Sequence, residues 1–307
     1  MDIIRKKVII VFILLGASFS LFSQNNPLKL NSLYTADPTA RNWGDGKIWL
    51  YPSHDVPCMG CYSSMNDYHV FSSSNGVKWR DYGSILSIDK LNQLGWNVHN
   101  AWAPDCVYQK GLFYFYFPVQ GIVDKKWKIG VVSSKRPMGP FESPSLVVED
   151  WGIDPSVLVD DDGRAYLYCQ FKMGELNPDM KTVKEETIVN FSDVASIPYK
   201  NYEGPFVFKR KDMYYYVCSA EGYRRLVYFI GKKPLGPWDY KGTIMAPDTV
   251  HSENNHCSIV EFKGRWIIFY HRMVCGKSRN VCADFLHFND DGTIQEVKRT
   301  KVGIEIK

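Results

Sequence analysis

"IDPSVLVDDDGRAYLYCQ" (residues 153–170) reads as a single β-hairpin: the short run "SVLV" (156–159), three aspartates closed by Gly163, then the aromatic run "AYLY" (165–168). Asp and Gly between two strand-like runs mark a tight turn, with Gly163 supplying the positive φ that such turns require. The acidic run also invites comparison with a calcium loop. An EF-hand loop needs acids at positions one, three and five, glycine at six and glutamate at twelve. With Gly163 at position six, Leu158 falls at one and Cys169 at twelve, so Asp160, Asp161 and Asp162 do not make such a loop. What stands out instead is the quieter acid that opens the hairpin, Asp154.

The same unit recurs along the chain. A polar first residue, about five residues of strand, a tight turn and an aromatic strand appear in "DPTARNWGDGKIWLYPS" from Asp37, "DCVYQKGLFYFYFP" from Asp105, "DPSVLVDDDGRAYLYCQ" from Asp154, "EGPFVFKRKDMYYYVCS" from Glu203 and "HCSIVEFKGRWIIFYH" from His256. Their first residues are separated by 68, 49, 49 and 53 positions. A further strand pair follows the hairpins, clearest in "KIGVVSSKRPMGPFES" and "LVYFIGKKPLGPWDYKG". A repeat near 50 residues with about four strands per unit is the signature of a β-propeller. The chain is therefore all-β, and five units predict five blades.

A propeller gives the first residue of each unit a shared address. The innermost strand of every blade runs along the central axis, so Asp37, Asp105, Asp154, Glu203 and His256 are expected to converge on one mouth of the channel. Like charges packed together raise one another's pKa and destabilise the fold. Such costs concentrate at functional sites. Capping a turn would explain one acid, but not four in register. Two carboxyls facing each other across a sugar suffice for glycoside hydrolysis, one donating a proton to the leaving oxygen and the other activating water. A separation of about 6.5 to 9.5 Å leaves room for that water and inverts the anomeric centre.

The remaining composition sets the context. Residues 1–23 place Arg5, Lys6 and Lys7 before the apolar stretch Val8–Leu15 and a run of small residues, the pattern of a cleaved secretory leader. The expected mature chain, 24–307, is one domain, exported to the periplasm or outside the cell, with no stable membrane span after cleavage. The formal charge of +4 falls to +2 without the leader, too small to argue for nucleic acid. Aromatic residues make up 15% of the chain, which serves an all-β core and also provides stacking platforms for sugars. Of eight cysteines, Cys58 and Cys61 form a C-x-x-C in a Pro/Gly loop, open to a local disulfide or to free thiols. Cys275 and Cys282 are a poor match for a second zinc pair, and no metal site is expected from the cysteines.

With these units aligned, the chain resembles glycoside hydrolase family 43, the five-bladed arabinanases, arabinofuranosidases and β-xylosidases. The resemblance runs from about Tyr34 to Gly292 and is carried by "ADP" (36–38), "WAPD" (102–105), "IDPSVLVDDDG" (153–163), "EGPF" (203–206), "HCSIVEFKGRW" (256–266) and "FNDDGTI" (288–294). It implies Asp37 as general base, Glu203 as general acid, and Asp154 as the carboxylate that orients the acid and raises its pKa. It further implies Trp102 and Asp105 at the non-reducing sugar subsite, Arg279 on the substrate, and His256 facing a water or a calcium ion in the channel, with no cofactor required. Many members have a histidine where this chain has Phe206. The implied activity is inverting hydrolysis of arabinose- or xylose-containing oligo- and polysaccharides of plant cell walls, α-L-arabinofuranosidase first, with β-xylosidase and endo-arabinanase as alternatives. A carbohydrate-binding propeller without catalysis is the reading from another class, and a retaining fructan- or sucrose-cleaving propeller a third. Glu221 in "CSAEGYRR" is the rival acid, and His54 and Asp55 are further candidates for the pocket border.

Overall fold

The hairpin around Gly163 forms as its sequence requires. The Asp160 N–H donates to the Arg164 carbonyl and the Gly163 N–H to the Asp160 carbonyl, with Gly163 at φ 80°. "NDDG" at 289–292 repeats the device, Gly292 standing at φ 87°. These turns belong to a computed structural model that describes residues 24–57, 62–222, 224–248 and 255–307. The leader and the Cys58/Cys61 pair lie outside the described residues.

Five antiparallel sheets follow one another along the chain. Blade I comprises β1 (Tyr34–Asn42), β2 (Ile48–Asp55), β3 (Asp67–Ser73) and β4 (Arg80–Ser87). Blade II holds β5 (Val98–His99), β6 (Asp105–Gln109), β7 (Leu112–Gly121), β8 (Trp127–Ser134) and β9 (Glu142–Glu149). Blade III holds β10 (Ser156–Val159), β11 (Ala165–Tyr168), β12 (Lys172–Leu176) and β13 (Val189–Asn190). Blade IV holds β14 (Glu203–Arg210), β15 (Met213–Ala220), β16 (Arg225–Gly231) and β17 (Trp238–Met245). Blade V holds β18 (Cys257–Phe262), β19 (Arg265–Cys275) and β20 (Ser278–Leu286). The arrangement is a five-bladed β-propeller, as the repeat predicts.

Blade V departs from the four-strand expectation, since its sheet has three strands among the described residues. Residues 25–30 occupy the outer edge instead: the Leu28 N–H donates to the Val281 carbonyl at 2.8 Å, and the Asn26 side chain brackets the Ala283 backbone at 2.8 and 2.9 Å. The start of the described chain thereby covers the edge of the last blade and joins the ring, covering backbone groups that an open edge would leave unpaired.

The aromatic runs are nearly continuous rather than alternating because each blade has a neighbour on both faces. Successive side chains of a strand point to opposite faces. In "YYYV", Tyr214 and Tyr216 pack toward blade III against Tyr166 and Tyr168, whereas Tyr215 and Val217 pack toward blade V against Ile259 and Ile268. Equivalent interblade cores join Tyr51 and Val70 to Phe115 and Phe117, Tyr116 and Val131 to Leu167, and Phe262 and Phe269 to Ala40 and Leu50. Burial of each such ring or branched chain contributes about 1.5–3 kcal/mol. The acidic turn helps here too: Asp160 accepts from Lys209 Nζ at 2.6 Å and Tyr214 Oη at 2.5 Å, tying blade III to blade IV.

Candidate active site

Three inner strands reach the channel mouth through one local device. Asp37 and Asp154 each precede a proline and stand at φ 46° and 59°; in blade IV Gly204, at φ 63°, stands between Glu203 and Pro205. Positive φ is uncommon outside glycine, although Asp tolerates it better than most. It persists where surrounding contacts over-determine it, and it clusters at active sites. The pairing of β1 with β2 slips between Ala36 and Thr39, and that of β14 with β15 between Glu203 and Phe206. Bulges of this kind re-aim side chains. Gly204 is doubly constrained, because a Cβ there would lie 2.5 Å from His256 Cδ2.

Asp37, Asp154, Glu203, Trp102, His256 and Arg279 all line one cavity of about 530 Å3. Asp37 is held from three sides. Arg279 Nη1 donates to its Oδ1 at 2.9 Å, Ser53 Oγ donates to its Oδ2 at 2.6 Å, and its own N–H donates to His271 Nδ1 at 3.0 Å. Burial alone would raise the carboxyl, but the positive charge of Arg279, aided by His256 and the Ser53 hydroxyl, brings its pKa down to about 2. Asp37 is therefore ionised at any pH near neutrality. Arg279 is held from its other side by Asp55, whose two oxygens accept Nε at 2.9 Å and Nη2 at 2.8 Å, and its guanidinium lies 5.1 Å from the Tyr62 ring centre.

Asp154 acts on the neighbouring blade. Its Oδ2 accepts the Gly204 N–H at 3.0 Å, which fixes the backbone immediately after Glu203, and lies 3.7 Å from His256 Nε2. Burial pushes the His256 pKa down, but the negative charges of Asp154, Asp37 and Glu203 outweigh it and leave the imidazole above its ordinary value. Both His256 ring nitrogens are buried without a hydrogen-bond partner among the described residues. Such orphaned atoms call for a water or an ion. Calcium takes six to eight oxygen ligands, and the protein offers a nitrogen here while Asp37 and Asp154 already accept other donors. The donors fit an ion that keeps most of its water shell, with His256 as its protein contact.

Trp102 forms the aromatic wall. Its Nε1–H donates to the Tyr62 carbonyl at 2.6 Å, and its ring packs on Trp127 at a centroid distance of 4.4 Å. Tyr62, Met65, Gln170 and Arg224 also line the cavity. Tyr62, Met65 and Arg224 sit in the connections between strands, outside the repeated hairpins, and Gln170 is the last residue of the third hairpin unit; no motif marks any of them.

Asp105 is not brought to the cavity, contrary to its expected place at the sugar subsite. It is 1% exposed; Arg41 Nη2 reaches both its oxygens, at 2.6 and 2.5 Å, and the Val157 and Cys106 N–H groups each donate to it at 2.6 Å. It clamps blades I, II and III together. The order of residues is the signal: Asp37 and Asp154 precede proline, whereas Asp105 follows Pro104 and opens a strand of regular register.

The rival residues also separate. Glu221 pairs with Arg225 at 2.5 Å and is absent from the cavity lining, whereas Glu203 is part of it. Asp55 supports Arg279, while His54 faces Asp67 on the other side of β2. Phe206 is buried beneath the Arg41 guanidinium, 4.9 Å from it, and does not line the cavity. Cys275 is disulfide-bonded, and Cys106, Cys169, Cys218, Cys257 and Cys282 are buried free thiols.

Comparison with known proteins bears on this geometry. The chain is 31% identical to a xylosidase/arabinosidase of Humicola insolens over 86% of this chain and 97% of that protein, and 29% identical to a xylosidase/arabinosidase of Bacteroides ovatus over 85% and 94%. Among solved structures, it superposes with a TM-score of 0.77 on a β-xylosidase/α-arabinofuranosidase from a compost metagenome, described as a calcium-free form with xylotriose, at 28% identity over 87% of this chain and 96% of that one. An α-L-arabinofuranosidase of Clostridium thermocellum superposes with a TM-score of 0.70 at 28% identity, over 93% of this chain and all of the other. The model of glycosyl hydrolases family 43 matches residues 26–294. With five blades, a carboxylate-lined mouth and a family match over nearly the whole described chain, this protein belongs to glycosyl hydrolase family 43 and is a glycosidase.

Proposed function

We propose that the enzyme removes terminal pentosyl groups, α-L-arabinofuranosyl first and β-D-xylosyl second, from arabinose- or xylose-containing oligosaccharides of plant cell-wall polysaccharide, with inversion. The observation that carries this reading is the pairing in one cavity of a carboxylate kept ionised by Arg279 with a second carboxyl, Glu203, seated on a bulge that Asp154 holds. In the step, water attacks the anomeric carbon as Asp37 takes its proton, and Glu203 gives a proton to the departing glycosidic oxygen. The new C–O bond forms on the face opposite the one that breaks. Arg279 keeps Asp37 unprotonated before attack, and Asp154 positions Glu203 through the Gly204 N–H. The Trp102 ring supplies a flat apolar face for the sugar. A calcium ion held through His256 would add positive charge beside the carboxylates.

The pentose assignment draws on the relatives, which are named for xylosidase and arabinosidase activities. The basic and apolar leader supports export to the periplasm or the outside of the cell. The test is a screen on aryl α-L-arabinofuranoside, aryl β-D-xyloside, xylo-oligosaccharides and arabinan, with the first-formed anomer read by proton NMR. Inverted product from an aryl pentoside is expected. Retained configuration would sink the water-attack scheme, and normally folded Asp37→Ala and Glu203→Ala proteins as fast as wild type would sink the assignment of base and acid. Binding of oligosaccharide without turnover would favour a carbohydrate-binding propeller.

A further inference from the structure

β2 carries a second constellation on its opposite side. Ser53 and Asp55 reach the catalytic mouth, whereas His54, between them, faces β3. The pairing of Ser53 with Tyr68 sets His54 beside Asp67, and Asp67 and His69, two apart on one strand, share that face. His54 Nδ1 lies 2.7 Å from Asp67 Oδ1 and His69 Nε2 lies 3.5 Å from Asp67 Oδ2. One ligand atom from each of the three falls within 4.8 Å of the others. These separations bracket the edge of about 3.3 Å expected for a tetrahedron of N and O ligands about 2.0–2.1 Å from a zinc ion.

We propose that His54, Asp67 and His69 bind one divalent first-row transition ion, with zinc as the expected occupant and water in the open position. Three further observations support a built site. His69 turns its other nitrogen, Nδ1, to Asp81 Oδ1 at 3.2 Å, the carboxylate–imidazole–metal arrangement that fixes the tautomer of a ligating histidine. Asp81 is itself fixed by the Gly83 N–H at 2.7 Å and Asn31 Nδ2 at 3.2 Å. The side chains of His54, Asp67 and His69 are 24%, 23% and 16% exposed, so an ion can enter from solvent. Two imidazoles with one carboxylate suit zinc better than calcium, a hard ion that prefers all-oxygen shells. The ion would hold β2 to β3 directly behind the two side chains that support Asp37 and Arg279.

The experiment uses the whole protein, freed of metal by a chelator and titrated with zinc chloride by calorimetry, with cobalt(II) absorption reporting the coordination. One equivalent bound at micromolar affinity or tighter, with a raised Tm, is expected in wild type. His54→Gln and His69→Gln should each abolish that equivalent while keeping the circular dichroism of the metal-free wild type. Asp81→Asn, which touches no ion, should weaken binding about 10–100-fold. The proposal is overturned if wild type takes up no stoichiometric zinc, if both histidine variants bind as wild type does, or if the equivalent is lost in His256→Ala and kept in His54→Gln.

Discussion

Replacing the proposed base, Asp37→Asn, gives the sharpest test because the same carboxylate carries a stability signature and a kinetic one. Its pKa is about 2 in the folded protein, against 3.8 for an ordinary aspartate. A depressed folded-state pKa contributes stability that is fully present above the unfolded value and is lost as pH falls through the folded one. The difference corresponds to about 2 kcal/mol at pH 5–7 and about 1 kcal/mol at pH 3. Asparagine keeps the shape and can still accept from Arg279, but it lacks the charge. Urea unfolding of wild type and Asp37→Asn at pH 7, 5 and 3 should therefore show the variant less stable by about 2 kcal/mol at the two higher values, the gap closing by about half at pH 3. Turnover of an aryl pentoside should fall about 10²–10⁴-fold with loss of the base. A gap independent of pH, or a variant more stable than wild type at pH 7, would refute the claim that Arg279 stabilises the Asp37 carboxylate.

Four other expectations follow from the same geometry. Glu203→Gln should lower turnover about 10²–10⁴-fold on xylo-oligosaccharides, whose leaving alcohol needs a proton, and much less on aryl glycosides with acidic phenols; equal losses on both would argue against Glu203 as acid. Asp154→Asn removes a negative charge beside the Glu203 backbone, so the alkaline limb of the kcat/KM profile should move to lower pH; an unmoved limb would leave Asp154 with positioning alone. Gly204→Ala forces a Cβ against the His256 ring at a φ of 63°, and should lower both Tm and turnover, the first measured by calorimetry. Arg41→Ala strands the buried Asp105 carboxylate at a cost of about 3–5 kcal/mol; a mild change in the unfolding midpoint would contradict the interblade clamp.

The opening hairpin shows how far local pattern reaches. Short apolar and aromatic runs, turn chemistry and a repeat near 50 residues are properties of each unit by itself, so the five hairpins, the turn at Gly163 and the blade count were legible in the sequence. The placement of Asp37, Asp154, Glu203 and His256 at one mouth was legible for the same reason, since equivalent ends of inner strands must meet on the axis. Asp105 breaks that inference because register places a residue at a strand end and leaves open which neighbour its side chain meets. The Pro–Asp order in "WAPD", reversed from Asp–Pro, is the one local sign of the difference.

What lay beyond reach depends on contacts between blades. Arg279 reaches Asp37 and Asp55 across more than 220 residues of sequence, and His271 meets the Asp37 backbone from blade V. Nothing within a single repeat encodes such a meeting, because it arises when the first and last blades are brought side by side. The ionised state of Asp37, the exclusion of Glu221 and the grouping of His54 with Asp67 and His69 all follow from that closure or from pairing across strands. Repetition along the chain thus specifies the blades and the ring of acids, whereas the charge state and working neighbours of each acid depend on side chains that only ring closure and strand pairing bring within a few ångströms.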